Sequence, residues 1–273
     1  MSDIDLLAPM TQAAQRVGDF LQAAPIPAPA ATWGEFMQNF EALDKPAADQ
    51  LRTHLSGLCP GAAWGEELGD TIPPHGEVWV IDAVDGAVQL LQDLPYWSIS
   101  ITLVRDLRPV ATVLHSPLRG ETYTAAAGQG SRRNGRLIRP SRKTDLKVAL
   151  LATSQPPTVA AEPAAVRAAG RTLSAVLPYA GAVRNLGPTS WQVADTAAGR
   201  IDAFWEYGRD DANLLGGSLV AAEAGLQVTD TEGNPWQTGA ASFLAAPAPL
   251  HEQLLALLTA TQAGGDVGGS GLA

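Results

Sequence analysis

Apolar side chains recur every three or four positions at Leu6, Leu7, Met10, Ala13, Val17, Phe20 and Leu21, which predicts a helix over residues 3–22. A proline- and alanine-rich stretch, 23–31, breaks it. A second helix is expected over 45–58, capped by Asp44, with Pro46 tolerated in its first turn and Pro60-Gly61 ending it. The period changes at Val78. Residues 78–81 form an unbroken apolar, β-branched run, 96–104 alternate, 106–108 turn, 110–115 run on, and 121–126 give a further strand. The first half therefore reads as two helices followed by an antiparallel meander, an α+β order, with turns at 128–131 and 134–135.

Beyond residue 145 strand and helix patterns alternate. Strands are expected at 148–152, 182–185, 201–205, 226–229 and 242–246, and helices at 163–177, 190–198, 212–224 and 249–263. The division predicted is 1–145 as an α+β subdomain, 146–263 as an α/β subdomain and 264–273 as a flexible glycine-rich tail.

Composition narrows the function classes. The 273 residues suit one large domain or two closely packed ones. The formal charge of −10, with no Lys/Arg cluster beyond Arg132-Arg133 and residues 139–147, argues against a nucleic-acid partner. A single cysteine, Cys59, excludes an intrachain disulfide and a cysteine-rich zinc site, and with no basic and apolar leader pattern it suggests a cytoplasmic protein. No apolar run is long enough to span a membrane. The four histidines are scattered, with no zinc-binding pair.

The strongest chemical feature is the end of the 78–81 run. Asp82 and Asp85 stand three residues apart and Gly86 follows at once. Turn-forming acids before a glycine are the plain reading. Two carboxylates delivered to one point by a buried strand repel each other, and a hard cation between them resolves that repulsion. Upstream, Glu66 follows residues 62–64, read as an apolar turn; taken alone it is an ordinary solvated acid.

Asp82-Ala-Val-Asp-Gly-Ala87 resembles the Asp-Pro-hydrophobic-Asp-Gly-Thr motif of the inositol monophosphatase family of metal-dependent phosphomonoesterases. Gly65-Glu66-Glu67, Gly128-Gln-Gly-Ser-Arg-Arg-Asn-Gly135, residues 197–206 and the helix ending Glu223-Ala-Gly225 match further family segments in order. The resemblance implies a layered α/β/α/β/α sandwich, a Mg²⁺ cofactor and a small phosphorylated polyol or sugar as ligand, with a homodimer expected. By it, Glu66 binds the first metal and holds the attacking water. Asp82 bridges two metals, Asp85 takes the second and touches substrate hydroxyls, and the Val84 carbonyl completes the first site. Gly86 and Ala87 offer backbone N–H groups to phosphate. Thr189 and Glu206 contact substrate, the latter against a plain reading as a surface ion pair. Glu67 is given a supporting role, Arg184 an interface or supporting one, and Trp33 a place at the pocket mouth while the other tryptophans fill the core. All-oxygen ligation favours Mg²⁺ over zinc.

Three positions depart from the family pattern. Ala83 replaces proline. Ala87 replaces the threonine whose hydroxyl helps orient water. Asn213, seven residues after Glu206, replaces the last metal-binding aspartate, while Asp210 and Asp211 lie out of register. A helix-capping role for Asn213 is the plain alternative. The expectation is a phosphomonoesterase impaired at Ala87 and Asn213; a ligand-binding or regulatory protein, or altered chemistry on the same fold, is the competing expectation.

Overall fold

The computed structural model describes residues 2–66, 72–157 and 159–263, with the backbone but not the side chains of Glu66, Gln262 and Ala263; Glu67 and the tail expected from 264 lie outside the described residues. A 3₁₀ turn, Asp3–Leu6, leads into α1 (Leu7–Ala23), which buries Met10, Ala13, Ala14, Val17 and Leu21 on one face as the spacing predicts. The second helix corrects the expectation. α2 spans Trp33–Leu55, is capped by Thr32 rather than Asp44, and carries Pro46 in its interior. The N–H that proline lacks would have met the Ala42 carbonyl, and both residues are exposed, so that acceptor lies on the solvent side of the helix while Leu43, Ala47 and Leu51 stay buried.

The stretch read as a turn before Glu66 is instead a strand, β1 (Ala63–Glu66), paired in parallel with β2 (Glu77–Asp85) so that Glu66 lies beside Ile81. After β2 come a short helix, α3 (Ala87–Leu91), and the strands β3 (Ser98–Arg105), β4 (Arg108–Ser116), β5 (Glu121–Ala126), β6 (Ser131–Arg133) and β7 (Arg136–Leu137). Among the described residues these make a seven-stranded sheet in simple order, antiparallel throughout except for β1.

The remainder is β8 (Leu150–Thr153), α4 (Pro163–Val176), β9 (Ala182–Arg184), α5 (Thr189–Ala197), β10 (Ala203–Tyr207), α6 (Asp211–Ala224), β11 (Gln227–Thr229), β12 (Ser242–Ala246) and α7 (Ala248–Ala263). Among the described residues the second sheet runs β11-β12-β10-β8-β9; β10, β8 and β9 are parallel, and β12 is antiparallel to both its neighbours.

The layers follow from which residues share a core. α1 and α2 cover one face of the first sheet, meeting Trp79, Ile81, Ile99, Ile101 and Leu103. α5 and α6 lie between the sheets, against Leu114, Tyr123 and Ala125 on one side and Phe204, Phe243 and Ala245 on the other. α4 and α7 close the far face over Leu151, Trp205 and Leu244. The result is the α/β/α/β/α sandwich the resemblance implies. β2 is covered on both faces, with Val78 and Val80 packed on Leu215 of α6, which is why its sequence is a continuous apolar run. Burying each such side chain stabilises by about 1.5–3 kcal/mol. Asp82 follows Val78 and Val80 in the two-residue period, on the α6 side.

Two segments noted separately in the sequence prove to be one contact. The Glu223 carboxylate near the end of α6 accepts the N–H groups of Gly128 and Gly130, each at 2.7 Å, and so fixes the turn between β5 and β6. Among the described residues no helix is long and apolar enough to cross a membrane.

Candidate active site

β2 brings Asp82 and Asp85 to its C-terminal end, where its pairing with β3 shifts register between the two acids. The irregularity is a local bend in an otherwise regular ladder. Asp82 is 7% exposed and accepts the Val84 N–H at 2.9 Å, which tightens that bend. Asp85 is 3% exposed and its Oδ2 accepts from two hydroxyls, Ser98 on the paired strand at 3.0 Å and Ser190 on α5. Neither serine was singled out in the sequence.

Gly86 then takes φ +97°, and a Cβ there would stand 2.9 Å from the Tyr96 carbonyl oxygen and 3.1 Å from Pro188 Cγ. Only glycine fits so close an approach in that conformation. Ala87 opens α3 and packs its methyl against the α1/α2 core.

The opposite wall comes from the second sheet and the middle helices. Thr189, the first residue of α5, donates to Glu206 Oε2 at 3.0 Å; Glu206 ends the apolar part of β10 and is 0% exposed. Burial, and next the neighbouring Asp210 charge, push its carboxyl well above the ordinary carboxylate range, with the Thr189 hydroxyl pulling the other way. Asp210 precedes α6 and accepts the Asn213 amide, Nδ2 to Oδ1, at 2.8 Å. Asp211 is turned elsewhere, accepting the Gly239 N–H at 2.7 Å.

A continuous polar path therefore runs from Asp85 through Ser190 and its neighbour Thr189 to Glu206, then to Asp210 and Asn213. It joins the end of β2, the start of α5, the end of β10 and the start of α6. α6 reaches β2 because Ala212 and Leu215 pack with Val78 and Val80. Asp82, Asp85, Thr189, Glu206 and Asn213, scattered over more than 130 positions, are thus all buried around these four element ends.

Among the described residues no group of three or more His, Cys, Asp or Glu side chains is arranged to hold a metal ion. The trio expected from the sequence includes Glu66, whose side chain lies outside the described residues; its backbone lies beside Ile81, one residue from Asp82. The donors present are oxygens throughout: the carboxylates of Asp82 and Asp85, the Val84 carbonyl and the Asn213 amide. That chemistry fits a hard divalent cation, and a buried carboxylate calls for a compensating charge or hydrogen bonds.

Arg184 is exposed and donates to the neighbouring Val183 carbonyl at 2.7 Å. Trp33 is exposed and stacks on Phe36, while Trp79, Trp97, Trp191 and Trp205 are buried.

A model of the inositol monophosphatase family matches residues 6–263. The chain belongs to the inositol monophosphatase family. It is 36% identical to the Nus factor SuhB of Pseudomonas aeruginosa over 196 residues, 70% of this chain and 72% of that one. It is 29% identical to an inositol-1-monophosphatase of Mesorhizobium japonicum over 243 residues, 84% and 86% of the two chains. Against the Nus factor SuhB of Escherichia coli the matched part spans 62% of that relative's length, at 32% identity. The structure of an inositol monophosphatase from Anabaena (Nostoc) superposes with a TM-score of 0.79 at 25% identity, covering 94% of this chain and 96% of that one. The family's layered fold is therefore that of this chain, and phosphatase-type hydrolysis is the family's chemistry.

Proposed function

We propose that the chain is a Mg²⁺-dependent phosphomonoesterase acting on a small polyol or sugar phosphate, slowed by Ala87 and Asn213. The observation that carries this reading is the burial of Asp82 and Asp85 at one strand end, in a chain of this family. Glu66, Asp82, Asp85, Asn213 and the Val84 carbonyl are the groups to hold Mg²⁺. When bound, the ion supplies Lewis-acid charge at the phosphoryl group. The chain's own residues do the rest. Ser98 and Ser190 lock the Asp85 carboxylate in one orientation. The N–H groups of Gly86 and Ala87 cradle phosphate oxygens. Glu206, held by Thr189, faces a substrate hydroxyl. Water, oriented by Glu66, attacks phosphorus in line with the ester oxygen; the P–O bond breaks and an alcohol and inorganic phosphate leave. Ala87 has no hydroxyl with which to help orient that water, a loss of about 10²–10⁴-fold where a positioned group is removed.

The same two departures favour a second reading, in which the fold binds a ligand or a partner without hydrolysis. That several relatives are named as Nus factors gives this reading a context. Phosphate release from a panel of inositol, sugar and nucleotide phosphates, with and without Mg²⁺, separates the two. Mg²⁺-dependent turnover supports the phosphatase. Silence across the panel, relieved in the Ala87→Thr/Asn213→Asp variant, supports the binding protein.

A further inference from the structure

Asp210 occupies the N-cap of α6, where an aspartate ordinarily accepts a backbone N–H of the first turn, yet its side chain makes no such capping bond. It accepts the Asn213 amide nitrogen at 2.8 Å instead, and both side chains are buried. The adjacent acid is not interchangeable with it, because Asp211 is committed to Gly239.

The chemistry of an amide gives that contact a consequence. A side-chain amide presents an oxygen with lone pairs at one end and an NH₂ that only donates at the other. Only the oxygen serves a cation, and a flipped amide would aim two positive hydrogens at it. A carboxylate accepts and does not donate, so Asp210 permits one flip state. It also places a negative charge directly behind the neutral residue that stands where the family has an aspartate. Carboxylates behind metal ligands orient them and strengthen their donor atoms, and their loss typically costs about 10–100-fold in metal affinity.

We infer that Asp210 is a positioning residue for the cation site, holding the Asn213 amide so that its oxygen is the atom offered and restoring behind it the charge that residue lacks. The inference rests on the metal-dependent reading above. It also accounts for an acid and an amide appearing together, three residues apart, at one helix start.

Calorimetric titration of the full chain with Mg²⁺ alone tests it in four proteins: wild type, Asp210→Asn, Asn213→Asp and the double variant. Asparagine is itself a good N-cap residue, and Asp210→Ser takes its place if Asp210→Asn does not fold. The expected result is a Kd raised about 10–100-fold by Asp210→Asn in the wild-type background. Beside Asp at 213 a carboxylate at 210 repels rather than orients, so there the same change leaves affinity unchanged or tightens it. Equal weakening in both backgrounds marks a merely structural residue and overturns the inference, as does an unchanged Kd for Asp210→Asn. Those outcomes leave the phosphatase reading standing. No Mg²⁺ binding by the wild type at millimolar concentration removes both.

Discussion

Ser190, in the first turn of α5, donates its hydroxyl to the carboxylate of Asp85 at the end of β2. The two residues are 105 positions apart, and this contact carries the first sheet's acidic strand end onto the helices between the sheets. A hydrogen bond to a buried charge contributes about 1.5–3 kcal/mol. Ser190→Ala is accordingly expected to lower stability by that order in urea denaturation, since Ser98 still holds Asp85 from the other side. An unchanged midpoint would mean that the link has no energetic weight.

Asp82→Asn separates function from stability. On the proposed metal-dependent reading, losing the Asp82 carboxylate removes several kcal/mol of charge stabilisation, so Mg²⁺-dependent phosphate release is expected to fall by at least about 10²-fold. In the absence of metal the substitution removes a buried charge and keeps an oxygen to accept the Val84 N–H. The metal-free variant should therefore unfold at or above the wild-type temperature, and addition of Mg²⁺ should raise its midpoint less than it raises that of the wild type. A metal-free midpoint well below wild type would reassign Asp82 to a structural role.

How much of this was legible depended on the distance over which each feature is determined. The acidic end of β2 could be read because burial on both faces writes itself as an apolar run and the acids interrupt it. The start of α2 does carry a local signal. Thr32 accepts the Glu35 N–H at 3.3 Å and Glu35 accepts the Ala31 N–H at 2.8 Å, one residue ahead of the cap, so a Thr-x-x-Glu pattern marks the helix start behind its proline-rich approach. β1 is four residues with a glycine, stabilised by a parallel partner rather than by its own pattern. Ser98, Ser190 and the turn of Asp210 toward Asn213 had no local signal at all. A serine that serves a carboxylate and one that faces water look alike until the layers bring them together.

Acid sensitivity should come in part from two buried histidines. Burial holds His115 and His251 below the ordinary histidine range, with their rings bonded to Thr122 and Thr229 at 2.9 and 2.8 Å. Each then binds its proton more readily in the unfolded chain, near pH 6.5, than in the folded one. Stability is full above about that pH and declines as pH falls through it toward the folded values. Urea midpoints from pH 8 to 5 are expected to drop, and His115→Gln should flatten the slope. A variant with the wild-type slope would place the sensitivity elsewhere.

α6 packs closely on the first sheet at Gly216. A Cβ at Gly216 would lie 2.7 Å from Thr102 Oγ1 and 2.8 Å from Thr112 Oγ1, and these hydroxyls are themselves bonded to each other at 2.9 Å. Neither threonine can yield without leaving a buried hydroxyl unbonded, so Gly216→Ala is expected to destabilise by about 1–3 kcal/mol despite alanine's better helix propensity. Gly170, inside α4 with nothing within 4 Å of an added methyl, is the control: Gly170→Ala should stabilise by up to about 1 kcal/mol. Opposite signs for one chemical change would locate the effect in the helix-to-sheet contact. Because Asn213 lies one turn before Gly216 on the same helix, forcing the helix off the sheet should also weaken Mg²⁺ binding, whereas Gly170→Ala, on the far layer, should leave it untouched.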